Sequence, residues 1–328
     1  MKKKILLITG GSGYIGSILF KRLEKKFKVI IVDRKQNKFL KKKNFVKIDL
    51  SKKSQLKKIQ NYKIETVIHL AAQSTIDLIK NKKNSYLNDN IQATKNVINF
   101  CKDKKIKKLI FSSTASVYKK SEYPLKEQSK LLPNNLYGRT KLANEKFIKQ
   151  TLSGTSTNYC ILRFFNVCSS DVNSKIGEFH NPETHLIPIL IHKIYNNKTI
   201  KIYGKNYKTS DGTCVRDYIH ILDIVSAIEK SISFLNKKKS EIFNLGSNKG
   251  FTVMQIISEV EKKLNIKSIL KITKRRHGDN DKSICNIKKA KKFLLWKPKF
   301  SKINKIIDDE IFWFNYLQFR NLKRKFFY

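Results

Sequence analysis

Ile5-Leu6-Leu7-Ile8-Thr9 runs directly into Gly10-Gly11-Ser12-Gly13-Tyr14-Ile15-Gly16. A short apolar run that breaks on glycines and reopens as an amphipathic stretch over 14–26 predicts strand, tight turn and helix. Two glycine spacings fit, Gly11/Gly13/Gly16 as GxGxxG and Gly10/Gly13/Gly16 as GxxGxxG. Either serves one purpose: a tight turn, backbone that can approach a pyrophosphate, and a helix packed close to its strand. The helix start then offers free N–H groups and a positive dipole to phosphates. Asp33 closes the next apolar run, at the distance where an acid takes the ribose hydroxyls of NAD and repels a 2′-phosphate. Arg34 beside it pulls the other way, because an arginine there can accept that phosphate.

Outward from this turn, residues 29–32, 45–48, 66–70, 108–112 and 159–163 are strand-like, with helical patterns at 84–101 and 135–151. The alternation predicts an α/β fold, a Rossmann-like doubly wound parallel sheet. Residues 164–184 read as polar loop, so the expected boundary divides 1–165, the dinucleotide domain, from 166–328, a smaller mixed α/β substrate domain. The second half carries helical patterns at 185–196, 223–235 and 252–264 and a strand at 200–203. Parts of it are expected to return to the first sheet. Residues 312–328 form an aromatic, basic tail that reads as a terminal helix.

With 328 residues, 40% of them hydrophobic, the chain can bury a large core. The formal charge of +45 is extreme, yet only nine of the 70 basic residues are arginine, and lysines line the whole chain. Solvated lysine faces account for this better than a nucleic-acid surface, which favours arginine. Neither nucleic acid nor membrane is expected as a partner. An anionic substrate would be drawn in by such a field. Five scattered cysteines without a CxxC pair argue against disulfides and structural zinc and suit the cytoplasm; no metal is expected. The basic and apolar start at 1–8 is too short for a signal peptide.

Tyr137 and Lys141 stand four apart at the start of a helical pattern, on one face. A tyrosine, with a pKa near ~10, is a poor base unless a fixed ammonium favours its phenolate. Thr114, 23 residues earlier at a strand end, can share the same proton.

The chain resembles the extended short-chain dehydrogenase/reductase superfamily and, within it, the UDP-glucose/UDP-galactose 4-epimerases. Gly13-Tyr14-Ile15-Gly16-Ser17, His69-Leu70-Ala71-Ala72, Phe111-Ser112-Ser113-Thr114 and Arg163-Phe164-Phe165-Asn166 carry the general likeness. Pro182-Glu183-Thr184-His185-Leu186-Ile187-Pro188, Asp211-Gly212-Thr213-Cys214-Val215-Arg216-Asp217-Tyr218-Ile219-His220, Phe243-Asn244-Leu245-Gly246-Ser247 and Arg275-Arg276-His277-Gly278-Asp279 carry the specific one. The resemblance implies Tyr137, Lys141 and Thr114 as catalytic residues. It implies Gly10, Gly13, Tyr14, Ile15, Gly16, Asp33, Asp49, Leu50, Ala71, Ala72, Asn90 and Phe165, with Tyr137 and Lys141, around NAD. It implies Asn166, His185, Leu186, Tyr203, Arg216, Arg276, Asp279 and Ser283, with Thr114, around a UDP-hexose. The implied reaction inverts C4: proton to Tyr137, hydride out and back on the opposite face of a 4-keto sugar. A homodimer is implied as well.

Two loops depart from the family. Lys119 stands where it usually has glycine, and Cys168-Ser169-Ser170-Asp171 lacks its small Ala-Gly pair. Ser283 falls at the position that gates sugar size, which implies room for an N-acetyl group. A 4,6-dehydratase or decarboxylase would need acids after Thr114, where Ala115 and Ser116 stand. A non-catalytic NAD-binding sensor would not need both Tyr137 and Lys141.

Overall fold

The computed structural model describes residues 5–37, 40, 44–74, 83–119, 124–180, 182–237, 240–276 and 279–322. His277, Gly278 and the last six residues of the tail lie outside them.

The first half builds one parallel sheet. Its strands are β1 (Ile5–Thr9), β2 (Lys28–Asp33), β3 (Phe45–Lys47), β4 (Ile64–His69), β5 (Lys108–Thr114) and β6 (Asn158–Phe164). Helix α1 (Tyr14–Leu23) follows β1, α2 (Lys83–Leu87) and α3 (Ala93–Asp103) precede β5, and α4 (Leu136–Leu152) precedes β6. The helical pattern at 84–101 is broken: a π-turn, Asn88–Gln92, separates α2 from α3.

The stretch expected to be polar loop holds three short strands, β7 (Asn166–Cys168), β8 (Ser170–Asp171) and β9 (Ile176–Gly177). Their partners lie far along the chain or across a hairpin, which is why no local periodicity announces them. Then come α5 (Leu186–Tyr195), β10 (Ile200–Tyr203), β11 (Val215–Arg216), β12 (Tyr218–His220) and α6 (Ile221–Lys237). Last are β13 (Glu241–Leu245), β14 (Phe251–Thr252), α7 (Val253–Leu264), β15 (Leu270–Thr273), β16 (Lys282–Ser283), α8 (Lys288–Phe293) and α9 (Ile303–Phe319). Helix α7 opens on a reciprocal cap between Thr252 and Gln255 and buries Ile256, Ile257 and Val260.

The large sheet has the order β13-β6-β5-β4-β1-β2-β3, every pair parallel. Strand β13 comes from the second half and pairs with β6 from Glu241↔Cys160 to Leu245↔Phe164. The order reverses between β1 and β4, and in such a sheet the crevice outside those two strand ends is where a ligand sits. Apolar side chains cover both faces. Val29, Ile31, Ile68 and Ile110 pack with α6 on one side, and Ile30, Val67, Leu109 and Ile161 with α3 on the other. A third cluster joins α5, α7 and α9 beside the substrate half.

Candidate active site

The crevice at the strand reversal is closed by backbone. Gly10 has φ +69°, and a Cβ there would lie 2.6 Å from the Ala71 nitrogen. A Cβ on Gly16 would lie 2.6 Å from the Gly11 Cα. Gly13 donates to the Gly10 carbonyl at 3.1 Å. A Cβ at Gly11 would lie 2.5 Å from the Ile31 side chain, whereas the collisions with backbone fall at Gly10 and Gly16, the two ends of the Gly10/Gly13/Gly16 spacing. The α1 N-terminus has no side-chain cap, which leaves its first N–H groups for a ligand.

Gly10, Gly13, Asp33, Asp49, Leu50, Ala71 and Ala72 line one cleft. The Asp33 carboxylate accepts from the Ser12 N–H at 3.1 Å and the Arg34 N–H at 2.7 Å. Burial nevertheless pushes its pKa up against those donors. The Arg34 guanidinium is held bidentate by Asp89, 2.9 Å for each bond, so it is not a free receptor for a 2′-phosphate. Bare backbone at the turn and an acid at the rim fit a dinucleotide without that phosphate.

Three residues expected around the dinucleotide sit differently. The Tyr14 hydroxyl donates to the Ser169 carbonyl, away from this cleft, so only its backbone lies at the turn. Ile15 packs its side chain on the core. The Asn90 amide is consumed by Gln73, accepting from its N–H at 2.7 Å and donating to its carbonyl at 2.9 Å. That pairing fixes the loop after Ala72. Phe165 lines the neighbouring cleft with Thr114 and Asn166.

Asn135 caps α4, accepting from the Gly138 N–H at 2.7 Å, and so sets Tyr137 in the first turn. A Cβ on Gly138 would lie 2.9 Å from the Ser116 carbonyl carbon, so the α4 start sits against the turn that follows Thr114. Lys141 is buried; its amine donates to the Ser112 carbonyl at 2.7 Å and lies 5.8 Å from the Tyr137 ring centre. Burial pulls its pKa down to about 7 against the field of Glu145. Burial, with a smaller contribution from Tyr86, pushes the Tyr137 phenol up. The expected lowering of the phenol by a lysine is therefore not the dominant effect, because both groups are desolvated. Behind them Arg163 and Glu145 form a fully buried bidentate pair, at 2.7 and 3.0 Å.

Thr114, Ala115, Ser116, Phe165 and Ser283 line a second cleft, which continues into a third along Leu186, Tyr203 and Arg276. Asn166, Arg216 and Asp279 line both. Arg216 donates to Asp279 at 3.1 Å and to the Asn280 carbonyl at 2.9 Å. The Arg276 guanidinium stacks on Tyr203 at 4.0 Å. His185 lines the wall but also contacts Glu178 and Glu183 at 2.8 and 3.0 Å.

Sequence reasoning missed Asp217. It is fully buried behind Arg216 and accepts from the Ser247 N–H and hydroxyl at 2.7 Å and from the Asn248 and Cys285 N–H groups at 3.0 Å. Its position between Arg216 and Tyr218 was visible; its partners, 30 to 68 residues away, were not.

The structure thus holds a glycine-turn crevice and a second cleft edged by Asn135 and Ser116, at the start of the helix that bears Tyr137 and Lys141. The family model for NAD dependent epimerase/dehydratase proteins matches residues 6–246. The chain belongs to that family. Among its members, the UDP-glucose 4-epimerase of Halalkalibacterium halodurans is 35% identical over 317 residues, 94% of this chain and 95% of the relative. A UDP-glucose 4-epimerase crystal structure superposes with TM-score 0.90 at 34% identity, covering 96% of this chain and 98% of the other. That of Bifidobacterium longum, in complex with NAD+ and UDP, gives 0.89 at 26% identity, covering 97% and 99%.

Proposed function

We propose that this protein is an NAD-dependent 4-epimerase that interconverts UDP-glucose and UDP-galactose. The observation that carries the reading is a pair of clefts: a glycine-turn crevice at the strand reversal, and a side-chain cleft whose Thr114–Ser116 wall packs on the start of α4, the helix that carries Tyr137 and Lys141.

Bound in the crevice, NAD supplies a hydride acceptor that can give the hydride back. Everything else falls to the chain. Tyr137 takes the C4 hydroxyl proton and later returns it. The Lys141 ammonium, held on the Ser112 carbonyl, stabilises the phenolate and is more fully charged below about pH 7. The Thr114 oxygen accepts from the Ser116 N–H at 3.2 Å, which leaves its own proton for the sugar or for Tyr137. Arg216 and Arg276 suit the diphosphate, since guanidinium gives planar, charge-assisted bonds. The small side chains of Ala115, Ser116 and Ser283 leave the keto sugar room to turn while its UDP stays held.

Ala115 and Ser116 lie in the cleft and cannot act as the acid and base that dehydration or decarboxylation requires. Ser283 in the same wall supports acceptance of UDP-GlcNAc and UDP-GalNAc as well. We place the enzyme in the cytoplasm, supported by five free cysteines, and as the homodimer the resemblance implies. Among the described residues no helix is long and apolar enough to cross a membrane.

The test is to incubate protein and NAD with UDP-glucose and with UDP-GlcNAc separately and to identify the sugars by NMR. Inversion at C4 is expected, falling roughly 10³-fold in Tyr137→Phe. No inversion, or an undiminished rate in that variant, overturns the reading. Ser283→Tyr should lower the GlcNAc arm selectively.

A further inference from the structure

The segment joining β9 to α5 brings together four side chains with metal-binding donors. One donor atom from each of Glu178, His180, Glu183 and His185 lies within 4.8 Å of every other. His180 Nδ1 is 2.9 Å from Glu178 Oε1 and 3.8 Å from Glu183 Oε1. His185 Nδ1 is 2.8 Å from Glu178 Oε1 and 3.0 Å from Glu183 Oε1. A zinc ion with tetrahedral bonds of ~2.0–2.1 Å sets its donors roughly 3.3 Å apart. The four histidine–carboxylate separations bracket that value, and no donor pair exceeds 4.8 Å.

Chemistry and rigidity agree with the geometry. Two imidazoles and two carboxylates suit a first-row divalent ion, whereas calcium and magnesium prefer oxygen donors alone. Both carboxylates are buried, 1% and 0% exposed, and pair with the two histidines; a divalent ion replaces the imidazole protons as the balancing charge. The chain around both glutamates is anchored. Trp313 Nε1 donates to the Glu178 carbonyl at 2.6 Å, and the Trp313 ring leaves no room for a side chain at Gly177. Glu183 Oε1 accepts from the Thr184 and His185 N–H groups at 2.9 and 3.0 Å.

We propose that Glu178, His180, Glu183 and His185 form a binding site for one divalent transition-metal ion, zinc being the best fit. Its role is structural. The ion ties β9 and the α9 tryptophan to the N-terminus of α5, where His185 and Leu186 line the substrate cleft. The proposal does not depend on which sugar reaction that cleft performs.

Metal analysis of the full-length, untagged protein, followed by cobalt titration of chelator-treated material, tests it. One zinc per chain, visible bands of four-coordinate cobalt, and at least tenfold weaker binding in both Glu183→Gln and His180→Ala support the site. His180→Ala, at the partly exposed corner, guards against a folding failure of the buried variant; circular dichroism checks both. Protein that carries no zinc, shows no cobalt bands and melts at the same temperature with added zinc overturns it. So does metal binding that neither variant weakens. The four side chains would then be a hydrogen-bonded charge cluster only.

Discussion

The dinucleotide crevice and the substrate cleft are made of different materials. The dinucleotide crevice is floored by backbone, the glycine turn, a strand end and the loop at Ala71, and rimmed by Asp33 and Asp49, all within the first half of the sheet. The substrate cleft is side chains, brought by β7, α5, β10, β11 and β16 and held in place by ion pairs and buried acceptors. Backbone fits or collides, so the first should fail abruptly. Side chains can be removed singly, so the second should fail by degrees.

The abrupt case gives the largest effect. Gly16→Ala places a methyl 2.6 Å from the Gly11 Cα, well inside contact distance, and the turn must open. The variant is expected to lose bound dinucleotide on gel filtration, read from the 260/280 nm absorbance ratio, and about 1–3 kcal/mol of stability. Wild-type retention of NAD would break the contrast.

Asp217 tests whether the side-chain cleft rests on one carboxylate. Burial raises its pKa to about 6 from the 3.8 of a free aspartate, against the hydrogen bonds of Ser247, Cys285 and Asn248. The folded value is the higher one. Its favourable contribution is therefore complete below about pH 4 and is lost as the pH climbs through about 6. Asp217→Asn is destabilised throughout, since an amide cannot accept from all four donors. Across that window the gap between wild type and variant should narrow by on the order of 2–3 kcal/mol in urea titrations. A constant gap would show that Asp217 stays ionised in the fold.

A graded loss is expected at Arg216. Arg216→Ala removes one charge-assisted partner of the diphosphate and releases Asp279 into the cleft. Such a contact is worth about 1.5–3 kcal/mol, so KM for the UDP-sugar should rise roughly tenfold or more while kcat stays within a fewfold. A fall in kcat at unchanged KM would put Arg216 on the reacting end instead.

The same contrast explains what could be read in advance. The glycine turn, Asp33 and the Asn135-capped helix bearing Tyr137 are local, so spacing alone exposed them. Arg216, Asp279 and Ser283 came through the resemblance, because nothing in their own neighbourhood marks a cleft. What neither route gave depends on contacts between distant segments: the Tyr14 hydroxyl on Ser169, the Asn90 amide on Gln73, Asp89 holding Arg34 and the acceptor role of Asp217. The π-turn at Asn88–Gln92 belongs here too, since it sits inside a stretch whose periodicity is helical throughout.

The smallest effect falls where the two materials join. Ser169 holds φ +79°, a conformation costing a residue with a Cβ about 1–2 kcal/mol, at the place where the family carries its small Ala-Gly pair. Its carbonyl takes the Tyr14 hydroxyl, so it ties the glycine-turn helix to the strand that begins at Asn166. Its own hydroxyl is buried without a hydrogen bond. Ser169→Gly keeps the carbonyl, relieves the backbone and discards only that unused hydroxyl, but it frees the unfolded chain by roughly 0.5–1 kcal/mol. The net gain should be below about 1 kcal/mol, a rise in Tm of about 1 °C by calorimetry, with KM and kcat unchanged. A lower Tm would mean that the serine stabilises the joint in some way beyond its carbonyl, and that the two clefts are coupled there by more than the bond to Tyr14.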